Sequence, residues 1–186
     1  MQKRAPKQIV DVVRELSRYS PDAFDFLREG LDYTVQRKHG PEVDKLRQIL
    51  EWLQESDLEL SDLPEAIEQG DLPKQIADFI AEQGGPDVIQ TRLNLHVGGQ
   101  DLCWGLRDLA LERWGLMAPA VLQQWGIKAT EDFGRMVFAL VDNGLLQKHP
   151  HDQIADFEGV FEFDNAFERS YRINLGGNAR DQKRKD

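Results

Sequence analysis

The chain holds one cysteine, Cys103. That excludes an internal disulfide and a cysteine-based zinc site, and it suits a reducing compartment. No window approaches the roughly 18 uninterrupted apolar residues of a membrane span. The start, Met1 to Pro6, is basic, but no apolar stretch of a signal peptide follows it, so a cytoplasmic location is expected. Cations are also in short supply: 23 Lys and Arg stand against 33 Asp and Glu, for a net charge of −10. A protein that grips phosphates without sequence preference needs a basic face. None is written here, so nucleic acid is not the expected partner. No pair of carboxylates and no nucleophile with a neighbouring base has a spacing that argues for catalysis. No cofactor is expected.

What is present is an ordinary globular mix of 40% apolar and 30% charged residues over 186 positions, enough to bury a sizeable core. The charge is segregated. Residues 1–40 carry 8 basic and 6 acidic side chains, residues 41–95 carry 4 and 13, and residues 96–186 carry 11 and 14. The middle segment thus holds nearly all of the net charge. The division that follows is a helical hairpin over 1–40, an acidic helical insert over 41–92, a core over 93–170 and a disordered tail over 171–186.

Helix punctuation carries most of the chain. Pro6 can open a first helix with Ile9, Val13 and Leu16 on one face. Ser20-Pro21 starts a second, with Ser20 as N-cap and Phe24, Leu27, Leu31 and Val35 as its stripe. Pro41 opens a third, striped by Val43, Leu46, Leu50 and Leu53, with Trp52 off the stripe. Shorter helices are predicted before Gly70 and between Pro73 and Gly84. Residues 86–95 read as extended or irregular. Gly98-Gly99 permits a sharp entry to a helix holding Leu102, Cys103, Leu106 and Leu109, which Trp114-Gly115 ends. A short helix ends at Trp125-Gly126. Thr130 is predicted to cap the next, whose core stripe is Phe133, Val137, Leu140 and Val141. Asn143-Gly144 stops it. Leu145 to Lys148 and Val160 to Phe163 then read as two strands. Three helices followed by a hairpin is the order of a winged helix. The predicted fold class is therefore mainly α with a small β hairpin: a helical hairpin plus a winged-helix-like three-helix core.

Several phrases carry a family resemblance. They are Y-S-P-D-A-F at 19–24, L-D-Y-T at 31–34, H-V-G-G-Q-D-L at 96–102, G-L-R at 105–107, W-G-I at 125–127, T-E-D-F-G at 130–134, V-F-A-L-V at 137–141 and D-F-E-G-V-F-E-F at 156–163. In this order they resemble an uncharacterised protein family largely restricted to Planctomycetes and Verrucomicrobia. The resemblance covers roughly residues 15–40 and 96–167. It implies no activity, cofactor or catalytic residue. Members of that family are shorter between the positions of Thr34 and His96, so the resemblance also marks 41–92 as an insert.

Candidate sites are few. His149, His151 and Asp152 are residue types that hold zinc or nickel, although a polar loop is the simpler reading of them. Asp152, Asp156 and Glu158 lack the spacing of a calcium loop. Cys103 lies on the apolar face of its helix, where a thiol is inert, and His96 reads as a residue bonding the entry to that helix. Arg107 is expected to pair with Asp132 or Glu131, or to meet a ligand carboxylate. Trp114 and Trp125 precede glycines at helix ends and read as packing of the cap on the core. Trp52, on an acidic helix, is the best contact tryptophan.

The leading expectation is a non-enzymatic protein-interaction module whose acidic insert meets an unidentified, basic protein partner. The alternative is a winged-helix nucleic-acid regulator that reads with the helix from Thr130 to Asn143, using Arg135 and Lys148. An enzyme whose site is assembled from distant positions is the third reading.

Overall fold

A computed structural model describes residues 12–14 and 16–168. The predicted tail and most of the first predicted helix lie outside them. The described helices are α1 (Pro21–His39), α2 (Val43–Glu55), α3 (Leu63–Gln69), α4 (Lys74–Glu82), α5 (Pro86–Arg92), α6 (Gly99–Trp114), α7 (Ala118–Gln124), α8 (Thr130–Asp142) and α9 (Phe163–Glu168). Single 3-10 turns stand at Leu60–Asp62, Gly115–Met117 and Ile154–Phe157. Val12–Arg14 is also helical. No helix among these residues is long and apolar enough to cross a membrane.

The boundaries follow local chemistry. The Ser20 side chain accepts the Ala23 N–H at 3.3 Å, Pro21 takes the first position of α1, and Arg37, Lys38 and His39 sit at its negative end. At the start of α8 the cap differs from the predicted one. Thr130 is already inside the helix and buried. It is Asp132 that accepts the N–H groups of Lys128 (2.8 Å) and Ala129 (3.2 Å), while Thr130 Oγ1 accepts the N–H of Val160 at 3.3 Å.

Two separate groups of side chains are buried. The larger joins α1, α6, α7, α8 and α9 and is rich in rings: Phe24, Phe26, Phe133, Phe157 and Phe167 are all inside it. The smaller is built by α2 to α5 from Leu46, Ile49, Leu53, Leu63, Phe79, Ile80 and Ile89, with Leu93 just beyond. Glycines set the approach of the long helices. A Cβ on Gly105 of α6 would collide with Thr34 of α1, and one on Gly30 of α1 with Leu106 of α6. Thr34 turns its hydroxyl onto the Gly30 carbonyl at 2.6 Å, so its buried oxygen is satisfied within its own helix.

The predicted β hairpin is not formed: no strand occurs among the described residues. The N–H groups of Leu145 and Leu146 both turn back to the Leu140 carbonyl, at 2.8 and 3.3 Å, which winds the chain off the end of α8. Phe161 and Phe163 do not alternate across a sheet. They lie tilted against each other (5.8 Å) and meet Phe167 edge to face (6.2 and 5.3 Å), and Phe163 opens α9. The three-helix core therefore lacks a β wing among these residues. The stretch expected to be extended at 86–95 is also corrected, because Gly84 and Gly85, both at φ +99, turn the chain so that Pro86 can start α5. Ile89 is buried on that helix. Gly99 serves close packing instead of a sharp turn, since a Cβ there would lie 2.7 Å from the Phe157 ring.

Candidate functional site

Where α1 and α8 diverge they leave an apolar groove with a cavity volume of about 370 Å³. Its α1 wall is Leu27, Leu31 and Val35, and its α8 wall is Val137, Leu140 and Val141. Leu145 and Leu146, expected in a strand, line it as turn residues. Leu31, Val137, Val141, Leu145 and Leu146 are all only half-buried. The apolar stripes of α1 and α8 are thus wider than the core requires, and their outer edges face the groove.

Phe157 closes one end. It is buried between α6 and α8, and the space for its ring exists because residues 99 and 134 are glycine; a Cβ at Gly134 would lie 2.8 Å from it. Gly99, Gly134 and Phe157 come from three distant phrases, H-V-G-G-Q-D-L, T-E-D-F-G and D-F-E-G-V-F-E-F. Only the fold brings them together.

The rim is charged. Arg28 and Asp32 stand on α1, and Arg47 reaches in from α2. His96, Lys148, Asp152 and Asp156 complete it. Asp32 is bonded to Arg47 at 2.8 Å. Asp152 holds His96 Nε2 at 3.0 Å and accepts the N–H of His149 at 2.8 Å. Asp156 accepts the N–H of Gln153 at 2.8 Å. Lys148 lies with its ammonium 5.4 Å from the centre of the Phe138 ring.

The remaining candidates fall as follows. His149 stacks on His96 at 4.4 Å, His151 points to solvent, and Asp152 is engaged as described. No group of three or more potential metal ligands gathers among the described residues. The His96 ring lies with Nε2 3.0 Å from Asp152, and not against the entry to α6. Trp52 is half-buried against the smaller core. Trp114 and Trp125 meet edge to face at 5.3 Å and both pack on Phe26. Arg107 does not reach Asp132 or Glu131. It lies over Trp104 at 4.8 Å, with Nε 3.0 Å from Asp108 but in a direction that makes no hydrogen bond.

Asp132 is held instead by Arg18 (3.0 Å), Arg135 (2.8 Å) and the Tyr19 hydroxyl (2.7 Å). Arg135 is therefore tied to its own helix end. Burial acts to raise the Asp132 carboxyl, but the N–H groups of Lys128 and Ala129, the Tyr19 hydroxyl and Arg18 outweigh it and hold it below its usual value. Burial and the bond to Asp132 raise Tyr19. Burial pushes the Cys103 thiol up to about 12, with the Glu131 charge adding, and a thiol held neutral is not a nucleophile. None of these three groups lines the groove. Chemically the groove can bury apolar groups and pair charges at its edge.

No family model, no curated protein and no solved structure matches the chain.

Proposed function

We propose that this chain is a non-enzymatic interaction module and that the groove between α1 and α8 is where it takes the apolar side chains of a protein partner. One observation carries the reading. The half-buried stripe residues of two helices converge on a cleft of about 370 Å³, at the lower end of the roughly 300–1,000 Å³ typical of ligand sites. The groups with displaced titration sit elsewhere, which favours binding over catalysis. Membership of the uncharacterised family is part of the same proposal, since the phrases behind the resemblance meet at the Phe157 end of this groove. The acidic region from α2 to α5 contributes Arg47 to the rim, so it is placed to influence what binds there.

The test is selection from a displayed library of helical peptides with apolar residues at i, i+3, i+4 and i+7. Wild type should enrich a set of sequences, and a groove-filling Val141→Trp variant that folds normally should lose them. If no peptide is enriched, or if the filled variant selects the same set, the groove is not the contact surface.

A further inference from the structure

We infer that the partner is an amphipathic helix whose apolar stripe is flanked by acidic residues, recognised by Lys148 and Arg28 at the groove rim. The inference rests on the groove being the contact surface and goes on to name the chemistry of what enters it.

The first part concerns shape. An extended partner segment would add a strand to an exposed sheet edge. No strand exists among the described residues, so no such edge is available there. The walls are helices, whose side-chain ridges accept the ridges of another helix. A helix laid along α1 and α8 can set its apolar side chains against Leu31, Val137, Val141 and Leu146.

The second part concerns charge. The acids of the rim already have partners within the chain: Asp32 with Arg47, Asp152 with His96 and the His149 N–H, Asp156 with the Gln153 N–H. Arg47 is held by Asp32 and lies 3.7 Å from Asp44. The two cations left are different. Lys148 has no carboxylate within 4.0 Å among the described residues and rests on the Phe138 ring. Among the described residues Arg28 has only Asp25, at 3.7 Å, with both side chains about two-thirds exposed (70% and 66%), and such a pair is weak. A chain of net charge −10 thus presents uncommitted positive charge beside its apolar groove. Acidic side chains on the partner would pair with it, whereas basic ones would meet acids already engaged within the chain, Asp32 by Arg47 and Asp152 and Asp156 by backbone N–H groups.

The experiment uses the same displayed library, with the positions flanking the apolar stripe randomised, and the full chain as bait. Enrichment of Asp and Glu at those positions is expected. In Lys148→Glu and Arg28→Glu, both at exposed positions, affinity for a selected peptide should fall about five- to tenfold, and reselection should favour Lys and Arg. Lys74→Glu, on α4, should change neither. Peptides enriched for the apolar stripe alone, bound equally by the charge-reversed variants, would overturn the acidic flank while leaving the groove as the contact surface. Failure to enrich any peptide would overturn both. Capture of dodecanoate in place of peptide would overturn the helical partner, because it would make the groove a site for a small amphiphile.

Discussion

The two cores are built by different means. The larger is organised by α6, a 16-residue helix, and by glycines that let α1 pack closely on it and that make room for the Phe157 ring between it and α8. The smaller is made of helices of 7 to 13 residues and is mostly aliphatic; Trp52 and Phe79 are the only aromatic residues between 41 and 95. Its outer surface carries the negative charge. The difference teaches that a shape-dependent core and a merely apolar one can stand side by side in one chain. The first depends on exact volumes at a few positions. The second depends on keeping its positions apolar, which short helices with acidic outer faces achieve without tight complementarity.

The largest effect is expected where shape matters most. Gly105→Leu should cost about 3–4 kcal/mol, because the new side chain would have to displace Thr34 and with it α1. Thermal melting gives the loss. Cys103, whose thiol is otherwise buried and neutral, would at the same time become reactive to a thiol reagent, reporting that the larger core has opened. If Gly105→Leu leaves both unchanged, close approach of α1 and α6 is not what holds that core.

Ile49→Ala should cost about 2–3 kcal/mol through lost apolar burial. Its signature should be uneven: amides of α2 to α5 lose protection from hydrogen exchange well before those of α6. Uniform loss across all the helices would show that the two cores open as one unit.

Asp132→Asn should cost about 2 kcal/mol near neutral pH, where it removes the charge that Arg18 and Arg135 share. The sign with pH follows from the depressed carboxyl. Its stabilisation is fully present above the unfolded value and is lost as pH falls through the folded one. The gap in Tm between wild type and variant should therefore narrow on acidification. A gap that stays constant would mean the effect comes from lost packing and not from charge.

The smallest effect separates packing from contact at Trp52. Because this ring leans on the smaller core, Trp52→Ala should lower stability by about 1 kcal/mol and leave binding of a groove-selected peptide unaltered. A variant of normal stability with weakened binding would move the contact surface onto α2.

Much of this molecule is legible in its sequence. Ser20-Pro21, Gly70 and Gly115 act locally, through caps and positive φ, so their roles can be read from neighbours in the chain. The apolar stripes of α1, α6 and α8 were legible for the same reason. The errors share a different cause. Val160 to Phe163 has the alternation of a strand, but a strand also needs a partner, and here the rings had a better place to go against Trp104 and Phe167. Thr130 reads as a cap because capping chemistry is common to Thr and Asp; in the structure Asp132 takes that role, held also by Tyr19, 113 residues away, while the Thr130 hydroxyl accepts the Val160 N–H.

The groove itself could be seen only in part. Leu31, Val137 and Val141 were assigned to core faces, and nothing in their spacing distinguishes a buried edge from an open one. By itself the sequence determined most of the helices and their order, the segregation of charge and the inert placement of Cys103, because each follows from interactions within a few residues or from composition; α5 and the start of α9 were not among them. Only the tertiary structure decided that Gly99, Gly134 and Phe157 meet, that α1 and α8 part to leave a cleft, and that Lys148 ends beside it with no carboxylate partner among the described residues. Those outcomes depend on how close two helices can pack, a property of side-chain volumes across the whole core that no local stretch of the chain contains.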